Sequence, residues 1–198
     1  MRGDACFQQL AIEIVSRVGL QLCAGQKTGP RNRQIRQVLF RAGGDIDLAA
    51  AENGALVVSC SDMFFGHRHN LIMPGRAANM SDGWETKRRR GPGHDWAIIK
   101  LARPGEIHSL EVDTSHFKGN FPESCSLETY NAADAPDDKL TDLSLDWTSL
   151  LPRTKLQAHT RHYFDRELQD AGAASHLRFN IFPDGGVSRL RVYGKLVE

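Results

Sequence analysis

The fold of this chain is decided by one stretch, HLRFNIFPDGGVSRLRVY at residues 176–193. Its first half alternates apolar residues at positions 177, 179 and 181 with polar residues at positions 176, 178 and 180. Successive side chains of a β-strand point to opposite faces, so this alternation predicts a strand with one buried and one polar face.

The same stretch also carries turn chemistry. Proline at position 183 fixes one backbone dihedral, and the glycines at 185 and 186 tolerate a positive φ, so the PDGG segment predicts a turn. Apolar and polar residues alternate again after it. We therefore predict a C-terminal hairpin in which Arg178 and Asn180 lie near Arg189 and Arg191.

Further runs of the same kind occur throughout residues 45–198. Each is short, rich in β-branched, aromatic or aliphatic residues, and bounded by turn residues. The runs lie at residues 55–60, 96–101, 107–113, 124–130 and 156–159. This spacing predicts an all-β chain folded as a β-sandwich.

The first 44 residues differ from the rest. They contain seven Lys or Arg residues against two acids, and they place apolar residues at helical spacing between Phe7 and Val18. We predict a basic, helical N-terminal arm at residues 1–44 and a separate sandwich at residues 45–198.

Composition excludes several classes of protein. The 198 residues are 40% hydrophobic and 25% charged, which suits a globular domain with a buried core. The net charge of +1 is far from the basic balance of a nucleic-acid binder. No apolar run is long enough to cross a bilayer, and the four cysteines lack the spacing of a zinc site or disulfide framework. We expect a cytoplasmic protein without nucleic-acid or membrane partners.

The densest chemistry lies in SDGWETKRRRGPGHDW, residues 81–96. Arginine can hold a carboxylate through two parallel hydrogen bonds, so Arg88 and Arg89 are candidates for binding a small anion. A run of cations is often only a solvated surface, and on composition alone that interpretation stays open.

Titratable side chains accompany these arginines. Glu85, His94 and Asp95 are groups that can move protons. A pocket that combines arginines with such a trio suits a small anionic substrate.

A second polar cluster, SDMFFGHRHN at residues 61–70, follows the first predicted strand. His67 and His69 point the same way on an extended segment, which makes them half of a possible divalent-metal site, although this spacing alone is a weak signal. The two phenylalanines of the cluster are interpreted as core residues. His116, after the run at 107–113, is interpreted as an ordinary loop histidine.

These motifs resemble those of the allantoicase family. The resemblance is carried by SDMFF at 61–65, by GWET, RRR and PGHDW between 83 and 96, by DTS at 113–115, and by NIFPDGG with RLRVYG at 180–194. It covers residues 45–196 and is greatest to the second of the two repeats that family members carry. It implies a jelly-roll sandwich of the galactose-binding-like type. It also implies hydrolysis of allantoate to ureidoglycolate and urea in purine degradation.

Residue chemistry and the resemblance together suggest roles. Glu85 and His94 are expected to form the acid and base pair, and Asp95 is expected to orient His94 or to bind ureido N–H groups. The substrate-binding residues are expected to supply hydrogen bonds and ring contacts; they are Arg88, Arg89, Asp62, Asn70, Trp84 and Asn180. No cofactor is required by the sequence, and a divalent metal is possible.

Other functions stay open at this point. The resemblance covers one repeat where the family carries two, so the chain is expected either to act as a homo-oligomer or to be an inactive half-length allantoicase. Galactose-binding-like sandwiches also hold sugars and other small ligands, so a non-catalytic binding module is the further alternative.

Overall fold

A computed structural model describes residues 44–132, 139–141 and 145–197 of the chain. The predicted arm at residues 1–44 lies outside these residues except for Gly44. The strands are β1 (Ile46–Asp47), β2 (Leu56–Cys60), β3 (Trp84–Glu85), β4 (Asp95–Asp113), β5 (Ser124–Tyr130), β6 (Thr148–Lys155), β7 (Arg161–Phe164), β8 (Ala173–Phe182), β9 (Gly186–Val187) and β10 (Arg189–Leu196). Short 3₁₀ helices lie at Ala51–Asn53, Arg68–Ile72, Met80–Asp82 and Lys139–Thr141.

Strand β4 organises the fold because its 19 residues take part in two sheets. Its first part, 95–100, pairs with β2 on one side and β8 on the other. Its last part, 105–113, pairs with β10, and 110–113 also pairs with β7. Residues 105–106 pair with β8 as well as with β10. The register shifts between Lys100 and Gly105, an irregularity of the kind at which a strand passes from one sheet to another. The predicted runs at 96–101 and 107–113 are therefore one strand.

Two antiparallel sheets result from this arrangement. Hydrogen bonding is continuous through β4 in the order β1-β10-β4-β8-β5-β6, and β2 and β7 also pair with β4. The register shift in β4 divides these strands into two layers, β2-β4-β8-β5-β6 and β1-β10-β4-β7. Strands β3 and β9 form a separate two-stranded ribbon. The prediction of an all-β sandwich is confirmed.

The predicted C-terminal hairpin is wrong. Strand β4 lies between β8 and β10, so these two strands do not pair with each other. The residues just after the turn, Gly186 and Val187, instead pair with β3. The chain therefore crosses from one sheet to the other at this turn, and Arg178 and Asn180 lie on a different sheet from Arg189 and Arg191.

The prediction at residues 156–159 is also wrong. Strand β6 ends at Lys155, and the next strand, β7, begins at Arg161. Strand β6 contains a proline, which weakens a strand signal in the sequence and is tolerated here because β6 lies at the edge of its sheet.

The core lies between the two sheets. Leu177, Phe179 and Ile181 of β8 are fully buried, as the alternation predicted, and they share one apolar cluster with Leu110 of β4 and Val192 of β10. Each such side chain contributes about 1.5–3 kcal/mol when it leaves water. This core fixes the strand ends from which the polar loops project.

Asp47 is a buried acid in this framework. Its Oδ1 accepts hydrogen bonds from the backbone N–H groups of Ala49, at 3.2 Å, and Val192, at 3.0 Å. Its Oδ2 lies 3.6 Å from Arg191 Nε. Burial raises the pKa of Asp47 from its ordinary 3.8 to about 6, against the opposing effect of Arg191.

Asp47→Asn should change how stability depends on pH. The folded state holds the Asp47 proton up to about pH 6, whereas the unfolded state loses it near pH 3.8. The contribution of Asp47 to the free energy of unfolding is therefore full below pH 3.8 and is lost above about pH 6. The unfolding free energy of the parent minus that of the variant should therefore fall by about 3 kcal/mol across this window. Urea unfolding at several pH values measures it. Glu106→Gln, which removes an exposed acid of β4, should leave the window unchanged.

Candidate active site

Polar loops meet at one end of the sandwich. They comprise residues 61–67, 86–94, 114–123 and 183–185, here called the loop end. Backbone hydrogen bonds join them: Ser61 N–H donates to Trp96 O at 2.9 Å, Thr86 N–H to Gly185 O at 3.1 Å, and Gly186 N–H to the Asn120 carbonyl at 2.8 Å. Loops on a rigid framework are a common place for binding residues.

Arg89 and Asp95 form an ion pair at the loop end. Arg89 Nη2 donates to Asp95 Oδ1 at 2.5 Å, and Ser61 Oγ donates to the same oxygen at 2.9 Å. The Asp95 side chain is 2% exposed and that of Arg89 is 32% exposed. The backbone N–H of Arg89 also donates to Asp184 Oδ2 at 2.8 Å. Asp95 therefore holds one end of the Arg89 guanidinium in a fixed position.

The turn before β4 leaves room for this arginine. Gly93 has a φ of 112°, a conformation that favours glycine, and a Cβ there would lie 3.4 Å from Arg89 Nη1. Arg89 Nε is buried and has no hydrogen-bond partner among the described residues. Arg88, the neighbouring candidate, is exposed.

Asp62 and Trp84 act together as supports of the loop end. Trp84 is fully buried and packs against Phe179. A ligand therefore cannot reach its ring, although the sequence had suggested Trp84 as a substrate-binding residue. Its Nε1 donates to the Asp62 carbonyl at 2.8 Å. Asp62 Oδ2 in turn accepts from the backbone N–H of Lys87 at 2.7 Å. The pair fixes the start of residues 87–90, here called the arginine segment.

Glu85 lies on β3, which borders the same loops. Its Oε1 accepts from Asn120 Nδ2 at 2.5 Å. Its backbone carbonyl accepts from the N–H groups of both Phe65 and Gly66 at 3.1 Å.

Phe64 and Phe65 are 68% and 63% exposed, so their interpretation as core residues is wrong.

The structure separates His94 from Asp95. His94 directly precedes β4, and Asp95, the first residue of β4, points toward Arg89 and Ser61. The His94 ring instead packs on Phe182, with 4.7 Å between ring centroids. Asp95 is therefore placed to orient Arg89 rather than His94.

Asn180 belongs to a polar cluster on the outer face of the first sheet. Its Nδ2 donates to Glu128 Oε2 at 2.8 Å, and Arg178 Nε donates to the same oxygen at 2.7 Å. Burial raises the pKa of Glu128, but these hydrogen bonds and the charges of Arg178 and His94 outweigh it, so the pKa lies below its ordinary value. Asn180 and Asp95 thus lie on opposite faces of the sheet.

Asn70 supports the backbone of the loop end. Its Nδ2 donates to Gly83 O at 3.0 Å and to Ser81 O at 3.3 Å. The amide is therefore engaged within the protein.

The two histidines of the possible metal half-site stack on each other. The rings of His67 and His69 are 4.9 Å apart and their Nδ1 atoms are 3.3 Å apart. Among the described residues, no group of three His, Cys, Asp or Glu side chains is placed to hold a metal ion.

With the site's geometry established, similarity to known proteins identifies the family. A family model described as "Allantoicase repeat" matches residues 46–197. The chain belongs to the allantoicase family. A "Probable allantoicase" of Pseudomonas paraeruginosa is 56% identical over 153 residues, which are 77% of this chain and 46% of that protein. The crystal structure of allantoicase from Saccharomyces cerevisiae superposes with a TM-score of 0.66 at 40% identity, over 77% of this chain and 44% of that one.

This chain spans about half the length of the allantoicases that it matches. The match covers the described sandwich, and it places every candidate residue of the loop end within the allantoicase repeat.

Proteins of other families share the fold. A fucolectin from striped bass serum superposes with a TM-score of 0.53 at 16% identity, over 79% of this chain and 49% of that one. At this identity the likeness shows the fold alone. The jelly-roll sandwich of galactose-binding-like type that the resemblance to allantoicases implied is confirmed.

The structure also reveals a cleft that the sequence did not predict. It has a volume of about 640 Å³ and is lined by residues 76–77, 115–116 and 159–161. His116 lines it, although the sequence suggested only an ordinary loop residue. Sequence separation hid the cleft, because His116 and His159 are brought together by the pairing of β4 with β7.

None of the helices in the described part of the chain has the length and apolar character that crossing a bilayer needs.

Proposed function

We propose that this chain hydrolyses allantoate to ureidoglycolate and urea, with the loop end as its active site. The observation that carries the proposal is the Arg89–Asp95 pair, in which a buried carboxylate holds a partly exposed guanidinium. Membership of the allantoicase family supports the choice of substrate. A fixed guanidinium suits the planar carboxylate of allantoate.

The reaction breaks a C–N bond at a tetrahedral carbon that carries two ureido groups and a carboxylate. An acid protonates the leaving urea while the lone pair of the remaining ureido nitrogen forms an imine-like bond to that carbon. Water then adds to the carbon and gives its proton to a base. The products are ureidoglycolate and urea, and no acyl intermediate is required.

The proposed roles follow from position and exposure. Arg88 is exposed and binds the substrate carboxylate, and Arg89 provides a second, fixed contact. Glu85 and His94 carry the acid and base roles. Asp95 positions Arg89 through the 2.5 Å hydrogen bond. Asp62 holds the backbone of the arginine segment through Lys87 N–H.

We further propose that the active form is a homo-oligomer. The family model matches residues 46–197 as an allantoicase repeat, and in such an assembly a neighbouring copy places a second repeat beside it. A cytoplasmic location stays a prediction of the sequence.

Urea release from allantoate by the purified full chain tests the function. A rate above the uncatalysed reaction, from a species heavier than a monomer, is expected. Saturable binding of allantoate without urea release by a folded oligomer would contradict the proposal and favour a non-catalytic module.

Arg88→Ala should raise KM by about 10- to 100-fold, because the lost contact is a hydrogen bond between two charged groups. We expect kcat to change little, since the carboxylate is bound equally before and during the reaction. Arg103→Ala is the matched control, because it removes an exposed arginine from β4 away from the loop end. A fall in kcat with an unchanged KM would show that Arg88 does not bind the ground state.

A further inference from the structure

Two histidines at the 640 Å³ cleft have an unusual backbone conformation. The described residues with φ between 49° and 133° number eight; six are glycines and the other two are His116, at 73°, and His159, at 49°. A side chain in this left-handed region is strained, and such strain is often retained at binding sites. Both exceptions are histidines, and both line the same cleft.

The loops that carry these histidines are clamped together. His116 N–H donates to His159 Nδ1 at 2.7 Å, and His159 N–H donates to Phe117 O at 3.0 Å. Thr114 N–H donates to Thr160 O at 2.9 Å, and Thr160 N–H donates to Thr114 Oγ1 at 3.0 Å. The floor of the cleft is therefore fixed before any ligand arrives.

These contacts assign the protons of the two rings. His159 Nδ1 accepts a hydrogen bond, so in the neutral ring the proton is on Nε2, which is a donor. His116 Nε2 lies 3.0 Å from the Ala77 carbonyl, which can only accept, so His116 donates through Nε2. Its Nδ1 is then an acceptor while the ring is neutral. The cleft thus presents one imidazole donor and one imidazole acceptor.

Two arginines complete the walls. Arg161 donates to both carboxylate oxygens of Glu111, at 2.7 and 2.9 Å. Glu111 therefore neutralises most of the positive charge of Arg161. Asp113, below the loop, accepts from the backbone N–H of Ser115 at 2.8 Å. Arg76 is exposed and has no carboxylate within ion-pair distance among the described residues. This balance suits a singly charged anion better than a doubly charged one.

We propose that this cleft binds a small carboxylate, with Arg76 and His159 Nε2–H as donors and His116 Nδ1 as the acceptor for a neighbouring N–H or O–H of the ligand. The cleft borders the loop end at residues 115–116, but its lining contains neither Arg89 nor Asp95, and carboxylate binding there does not depend on the proposed hydrolysis. It explains why histidine stands at two positions where glycine is better tolerated.

Acetate titration of the full chain tests the proposal, with the imidazole ¹⁵N signals of His116 and His159 as the readout. We expect saturable shifts with a midpoint of about 1–10 mM, the affinity of one charged pair and one neutral hydrogen bond. Arg76→Ala should weaken binding at least about tenfold. Arg103→Ala, about 30 Å along β4 from the cleft, is the charge-matched control and should bind acetate normally.

Glycine variants separate binding from folding. His116→Gly and His159→Gly relieve backbone strain while each loses one hydrogen bond, so the Tm of each variant should stay within about 4 °C of the parent. His159→Gly removes the Nε2–H donor, so the acetate titration followed at the remaining His116 signal should shift to higher concentration. His116→Gly removes only an acceptor that acetate does not use, so acetate binding followed at His159 should be nearly that of the parent. A much larger fall in Tm would show that the histidines serve stability, and would overturn the proposal. Equal acetate binding by Arg76→Ala and the parent would mean an adventitious ion only. Phosphate binding tighter than that of acetate would contradict the carboxylate class.

Discussion

Arg189→Ala should lower the free energy of unfolding by about 2–4 kcal/mol, because it leaves several carbonyl acceptors without their donor, and each buried acceptor left unpaired costs about 1–3 kcal/mol. Arg189 is 3% exposed and lies at the start of β10. Its Nη1 donates to the carbonyls of Asp82, at 2.5 Å, and Asn70, at 3.0 Å. Its Nη2 donates to Asp82 Oδ2 at 3.0 Å.

The expected loss is large because one guanidinium satisfies several acceptors of a single loop. Residues 70–82 contain little regular structure, and Arg189 also donates from Nε to Gly75 O at 3.3 Å. Burial lowers the pKa of Arg189 although Asp82 opposes this effect, so the buried charge depends on that partner. Alanine leaves the carbonyls without donors and the Asp82 carboxylate without its cation.

Denaturant unfolding of Arg189→Ala, Arg189→Lys and Arg103→Ala measures this effect. Lysine keeps the charge but has three donors on one nitrogen, so an intermediate loss is expected. Arg103→Ala should change stability by less than about 0.5 kcal/mol, as exposed substitutions usually do. A loss below about 1 kcal/mol for Arg189→Ala would show that water replaces the guanidinium easily.

Some features of the fold could be read from the sequence because they are local. The alternation at residues 177–181 predicted the apolar, core-facing side of β8 correctly, since strand periodicity depends only on neighbours in the chain. It did not predict that His176 and Asn180 on the polar side are buried as well. The pairing of strands is not local. The predicted hairpin failed because β4 lies between β8 and β10. In sequence, Leu110 of β4 stands 63 residues before Ala173, the first residue of β8.

The candidate site shows the same division. Motif membership located the arginine segment, but which acid holds which cation depends on the face to which each side chain points. Asp95 was predicted to orient His94 or to bind ureido N–H groups, and in the structure it holds Arg89. Trp84 was predicted to contact the ligand because tryptophan often stacks on ligands, but in the structure it is a core residue. His116 gave no signal in the sequence, because a positive φ in a histidine has no sequence pattern.

Glu85→Gln should lower kcat for allantoate by about 100- to 10,000-fold, the usual contribution of a general acid or base. The substitution removes the proton-transfer group and keeps the size of the side chain. Glutamine Oε1 can still accept the hydrogen bond that Asn120 now donates at 2.5 Å. We therefore expect an unchanged Tm and a KM within a few-fold of the parent, since Glu85 is not proposed to bind the substrate carboxylate.

Glu106→Gln is the matched control, because it makes the same chemical change at an exposed position of β4. It should retain full activity. Turnover near the parent rate by folded Glu85→Gln would remove Glu85 from the mechanism.

The double variant Glu85→Gln, His94→Ala tests whether the two residues serve successive steps of the reaction. Glu85 lies on β3 beside Asn120, and His94 packs on Phe182, so the sandwich holds them on separate elements. If one is the acid for the leaving urea and the other the base for water, losing either blocks the reaction, and the double variant should be about as slow as the slower single variant. Losses that multiply in full would mean that both residues stabilise the same rate-limiting transition state, and the assignment of acid and base to successive steps would be wrong.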